Sequence, residues 1–150
     1  MFAKQYRQVY ILYLALVAGQ VLFAGVTAWL SMSGGTAQPS SQIPFHTVVP
    51  LVLIGTVAIA WFGNQRWQEH GANLSDLGEK IEHYRRTVIR RLAFIEAGNL
   101  LAVVAALLTG EMMFLLYFVA GMAAFLFFRP TTSQFSLWYN ATPEELRKLK

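Results

Sequence analysis

Four apolar stretches order this sequence. They run from Val9 to Leu30, Phe45 to Gly63, Leu92 to Thr109 and Met112 to Phe128, each 17–22 residues long. Three of them carry no charge, and the third is interrupted only by Glu96 and Asn99. A helix rises 1.5 Å per residue, so about 20 residues cross a hydrocarbon core of ~30 Å. Lipid offers backbone N–H and C=O groups no partner, so each stretch must bond within itself and is expected to be a helix. The pattern predicts an all-α integral membrane protein, a four-helix bundle with spans at about 9–30, 45–63, 92–109 and 112–128.

The polar connections differ in kind. Ser31 to Pro44 is uncharged and rich in Ser, Gly and Pro, which marks a loop. Thr109-Gly110-Glu111 is a tight turn. Residues 64–91 are charged, and within them Leu74, Leu77, Ile81, Tyr84 and Val88 recur at three-four spacing. That spacing predicts a cytoplasmic amphipathic helix, capped by Asn73 or Ser75, with Asp76 and Glu79 in its first turn. No breaker separates it from the third span, so one helix is expected from about Ser75 to Leu108, with its first half in water or along the headgroups. Pro130 ends the fourth helix and opens a tail over 129–150. In that tail Thr142-Pro143-Glu144-Glu145 has the residues of a capping box, and a short basic helix from Leu146 to Lys150 follows.

Composition agrees with the pattern. Apolar residues make up 55% and charged residues 13%, about half the share in an ordinary soluble domain. The net charge of +4 would raise nucleic acid as a partner, but its distribution reports orientation instead. Two basic residues precede the first span, six lie between the second and third, and four follow the fourth, which accounts for all 12. The two opposite loops hold none. Basic residues are retained on the cytoplasmic side, so both termini are expected there, in a bacterial inner membrane, with no nucleic-acid partner. Tyr6, Tyr10, Trp61 and Trp67 would mark the inner interface; Trp29, Phe45 and Tyr117 would mark the outer one.

The two halves share a pattern. Ala18-Gly19-Gln20-Val21-Leu22 matches Ala97-Gly98-Asn99-Leu100-Leu101, and the same offset aligns Arg7 with Arg86. An internal repeat of a two-helix hairpin follows, two tandem copies about an axis along the membrane normal. It sets Gln20 opposite Asn99, where two amides can bond across the bundle.

Glu96 is the most informative residue. A carboxylate within a span is costly, so it is expected to face a partner helix or a cavity, sharing a face with Asn99. Two roles are open to it: proton or cation exchange, or a structural ion pair with Arg90, Arg91 or Arg129. Arg85, Arg86, Arg90 and Arg91 cluster below the third span and either mark topology or bind anionic lipid headgroups. Small-xxx-small pairs such as Ala15/Gly19, Ala93/Ala97, Gly98/Ala102 and Ala120/Ala124 suit close packing, within the chain or between chains.

No cysteine is present, and no nucleotide, nucleophile or metal motif occurs. A non-enzymatic protein without metal or cofactor is expected. Gly19-Gln20, Tyr84-Arg85, Ile89-Arg90, Glu96, Leu108-Thr109-Gly110 and Arg129-Pro130-Thr131 together resemble an uncharacterised family of small four-span bacterial inner-membrane proteins. That resemblance implies the fold and carries over no activity. Ala93-Phe94-Ile95-Glu96-Ala97 with Val103-Val104-Ala105 resembles the carboxylate helix of rotary-ATPase proteolipid subunits, which implies ion exchange at Glu96. Three readings follow. The leading one is a protein that acts by assembly, as a homo-oligomer or accessory subunit. The others are a proton- or ion-coupled channel or carrier using Glu96, Gln20 and Asn99, and an anionic-lipid-binding protein.

Overall fold

The long apolar stretches do form helices, and most of them extend past their apolar limits. The computed structural model describes residues 2–34, 43–71 and 73–147. In chain order the helices are α1 (Phe2–Met32), α2 (Phe45–Gly71), α3 (Leu77–Thr109), α4 (Met113–Phe127), α5 (Thr132–Tyr139) and α6 (Pro143–Arg147). Among the described residues there is no strand. Most of the 31–44 loop, at 35–42, and the basic end at 148–150 lie outside the described residues.

Helices α1, α2 and α3 are each long and apolar enough to cross a membrane. A fourth crossing arises if α4 and α5, bent by 60° at their break, count as one span. On its own α4 has 15 residues, about 22 Å of rise. Its final turn gives way at Arg129-Pro130, and Thr131 caps α5 by accepting from the Gln134 backbone N–H at 3.2 Å.

Helix α3 is the hub. It packs on α1, α2 and α4, and among the described residues α1 and α2 lean on α3 rather than on each other. The hairpin expected of the second half is present as α3–α4. The centre of α3 is built for contact on several sides: Ile95, Asn99, Ala102, Val103, Ala105 and Ala106 are all fully buried. Small residues let the neighbouring backbones approach. A Cβ at Gly98 would meet Thr56 Oγ1 at 2.6 Å, and one at Gly121 would collide with the Asn99 amide, so both glycines are required by contact. Gly110, at φ 72°, closes α3 in the left-handed conformation that favours glycine, and its N–H donates to Ala106 C=O.

The helix expected from about Ser75 to Leu108 is present as α3, but the 64–91 segment is not one amphipathic helix throughout. Helix α2 continues to Gly71, a short turn follows, and α3 begins at Leu77. Asp76, expected in the first turn, is instead the N-cap: its carboxylate accepts from the Gly78 and Glu79 N–H groups at 2.9 and 3.2 Å. The predicted stripe does face inward, with Leu77, Ile81, Tyr84 and Val88 buried. It is covered by protein, not by water or headgroups. Tyr6 of α1 stacks on Tyr84, and Phe135 and Tyr139 of α5 meet Tyr84 edge-on.

The tail is likewise docked. Phe135 and Tyr139 are buried, and Lys80 Nζ on α3 pairs with Glu145 Oε1 on α6 at 3.0 Å. The capping box forms as its residues require: Thr142 N–H donates to Glu145 Oε2 at 2.8 Å, and Glu145 N–H donates to Thr142 Oγ1 at 3.3 Å. The helix it starts covers Pro143–Arg147 rather than beginning at Leu146.

Candidate functional site

Three polar groups of α3 lie in or beside its apolar half, and the helical period sends them in different directions. Successive residues turn by about 100°, so Arg91, Glu96 and Asn99 cannot all share one face.

Asn99 points into the bundle and is fully buried, as is Gln20 of α1. Its Nδ2 donates to Gln20 Oε1 at 2.8 Å. The two amides are 79 residues apart, which is the offset of the sequence match. The pair keeps one open valence on each side, since Gln20 Nε2 and Asn99 Oδ1 have no hydrogen-bond partner. Thr56 bonds its own helix, donating to Leu53 C=O at 3.0 Å.

Glu96 does not join the amides. It sits at the edge of the outward surface of α3, partly exposed, beside exposed Ala93, Phe94 and Ala97. It makes no ion pair or hydrogen bond with Arg90, Arg91 or Arg129, so the expected pairings are absent and Glu96 and Asn99 do not share a buried face. The reason is angular. Asn99 lies on the Ile95–Ala102 stripe, and Glu96 is one residue off that stripe.

The basic cluster also separates. Arg85 and Arg86 pair with Glu82 at 3.5 and 3.0 Å, within one helical turn. Arg90 is exposed, with its guanidinium 5.8 Å from the Trp67 ring centre. Arg91 turns inward and is only 1% exposed. Its Nη2 donates to the Phe128 carbonyl at 2.7 Å and its Nη1 to Asn64 Oδ1 at 3.2 Å. The guanidinium carbon stands 5.1 Å from the Phe128 ring centre and 5.3 Å from that of Trp138. Arg91 thus caps the end of α4 and fixes the α4–α5 corner by its charge and its flat surface. A cavity of about 260 Å³ opens beside it, walled by α2, α3, α5 and the end of α4. Asn64, Gln65, Gln68, Gln134 and Trp138 contribute to its wall.

This second centre escaped the sequence reading, which took Arg91 as one of four clustered arginines and as one of three candidate partners of Glu96. A signal was present in Asn64, Gln65 and Gln68, three amides at the end of an apolar span. Gln134 carried none, because the corner that brings α5 back depends on tertiary packing.

At the opposite end His46 Nε2 lies 3.1 Å from Glu111 Oε2, tying the start of α2 to the α3–α4 turn. Among the described residues no three His, Asp or Glu side chains converge as a metal site would need. No protein-family model, curated protein or solved structure matches the chain.

Proposed function

We propose that the protein is a non-enzymatic multi-pass inner-membrane protein that acts by assembly, as a homo-oligomer or accessory subunit, through the outward face of α3. Glu96 carries this reading. A carboxylate beside acyl chains costs a few kcal/mol or more, and this one has no partner among the described residues. Exposed Ala93 and Ala97 flank it, and small residues let another helix come close enough to donate to the carboxylate. Polarity and close approach thus coincide on one face. The basic residues at the end of the bundle shared by the start of α1, the α2–α3 turn and α5–α6 support a cytoplasmic location for both termini. Ion passage by Glu96 together with Gln20 and Asn99 is less well supported, because the carboxylate and the amides lie on different faces.

The chain has no cysteine, so Ala97→Cys creates a single thiol. In native membranes, oxidation or a short bis-maleimide is expected to cross-link A97C to a second copy or to another membrane subunit. Leu116→Cys, on an exposed position of α4, serves as the control. If A97C yields no more product than L116C, and mild detergent releases a monomer with nothing attached, the assembly reading fails.

A further inference from the structure

Arg91 poses an electrostatic problem that the fold alone leaves open. Its guanidinium stays protonated at any ordinary pH, and burying such a charge is expensive unless an opposite charge accompanies it. Arg91 is 1% exposed and forms no ion pair among the described residues. Its neighbours are a carbonyl, an amide oxygen and two aromatic rings, which supply dipoles and π faces but no negative charge. Its Nε–H is buried and donates to nothing. Gln134 Oε1, also on the cavity wall, is buried and accepts from nothing.

We propose that the cavity beside Arg91 binds a phosphate-bearing ligand, with the phosphate oxygens held by Arg91 and a ligand hydroxyl or amine donating to Gln134. Several observations converge on this. The wall combines an unpaired cationic donor, an unpaired acceptor and the amides of Asn64, Gln65 and Gln68. A guanidinium presents its donors in a planar fork that matches phosphate oxygens. The volume of about 260 Å³ accommodates a phosphate with a small polar substituent. The cavity lies where α2 and α3 leave their apolar stretches, the depth expected of lipid headgroups, with Trp61 and Trp138 in its wall. A lipid phosphodiester entering from the side and a free phosphate entering from water share this chemistry. The site is distinct from Arg85 and Arg86, which share Glu82. It is also independent of the outward α3 face, so either proposal can fail without the other.

The full chain is placed in phosphatidylcholine nanodiscs. One arm titrates inorganic phosphate; the other replaces part of the lipid with phosphatidylglycerol and counts retained lipid by native mass spectrometry. Binding in at least one arm is expected, weakened about tenfold or more in Arg91→Gln, the scale of losing a charge-assisted hydrogen bond. Gln134→Leu is expected to weaken it less, and the Arg85→Gln/Arg86→Gln double variant to leave it unchanged. Preference between the arms identifies the source. Binding in neither arm overturns the proposal, as does equal loss in the Arg85/Arg86 variant. Should Arg91→Gln fail to fold, the Nε–H resonance of Arg91 in the ¹⁵N-arginine-labelled wild type decides. A shift on adding either phosphate source supports the site, and no shift with both overturns it.

Discussion

Asn99 and Gln20 show what a polar side chain inside a bundle requires. Each amide buries a donor pair and an acceptor, and their mutual hydrogen bond satisfies one group on either side. Interhelical bonds of this kind contribute about 0.6–2 kcal/mol, because the unfolded chain in a membrane also finds partners. In a double-mutant cycle, Asn99→Leu and Gln20→Leu are expected to couple by roughly 1 kcal/mol, the double variant losing less stability than the two single losses combined. Reversible unfolding in mixed micelles measures it; a coupling of zero would show that the amides act independently. This pair was legible in the sequence because depth along a helix is simple counting. Glu96 and Arg91 were legible as exceptions to the apolar pattern but not as to their surroundings. A rotation of about 60° separates the partly exposed Glu96 from the buried Asn99, and only packing fixes where the zero of that rotation lies.

At the scale of elements, α3 and the α5–α6 tail depend on each other. The stripe Leu77, Ile81, Tyr84 and Val88 announced a buried face, but the partner that covers it was hidden. Helix α5 has only eight residues, too short for a period to stand out, although Thr131 as a cap and the i,i+4 pair Phe135/Tyr139 are its local signals. The start of α3 was legible to within two residues, but the continuation of α2 to Gly71 was not, because its apolar run stops at Gly63 and charged residues follow. The Lys80–Glu145 pair holds α6 to α3. Glu145 is held below the ordinary carboxylate range, first by the Thr142 backbone N–H and then by Lys80, against the opposing effect of burial. Because the folded value is the lower one, the stabilisation is complete above the ordinary value near 4.5 and is lost as pH falls through the folded value. Protonation, or Glu145→Gln, leaves the Lys80 ammonium buried without its anion. A loss of about 1–3 kcal/mol is expected for the variant near neutral pH, with an acid-side stability profile flatter than wild type. Thermal unfolding across pH in detergent checks both the size and the slope.

For the whole molecule, the three longest helices are joined through α3 rather than arranged as two independent hairpins. Charge gives this arrangement a direction. With basic residues at one end and Glu111 at the other, single cysteines at Lys4 and Glu111 are expected to report opposite sides. Impermeant maleimide should label Glu111→Cys in intact spheroplasts and Lys4→Cys only in inverted vesicles. The reverse pattern, or labelling of both from one side, would overturn the orientation.

Composition, the length of the apolar runs and the placement of basic residues determined the helical class, the expected spans and the expected orientation. These depend on the transfer of each segment between water and lipid, which is a property of the segment itself. The tertiary structure decided which residue of each helix faces which neighbour. It set Asn99 against Gln20, folded α5 back over Tyr84, turned Glu96 outward and buried Arg91 with no counter-charge among the described residues. Those outcomes depend on helix rotation and on contacts between residues far apart in the chain, such as Gly121 against Asn99, which no local pattern encodes.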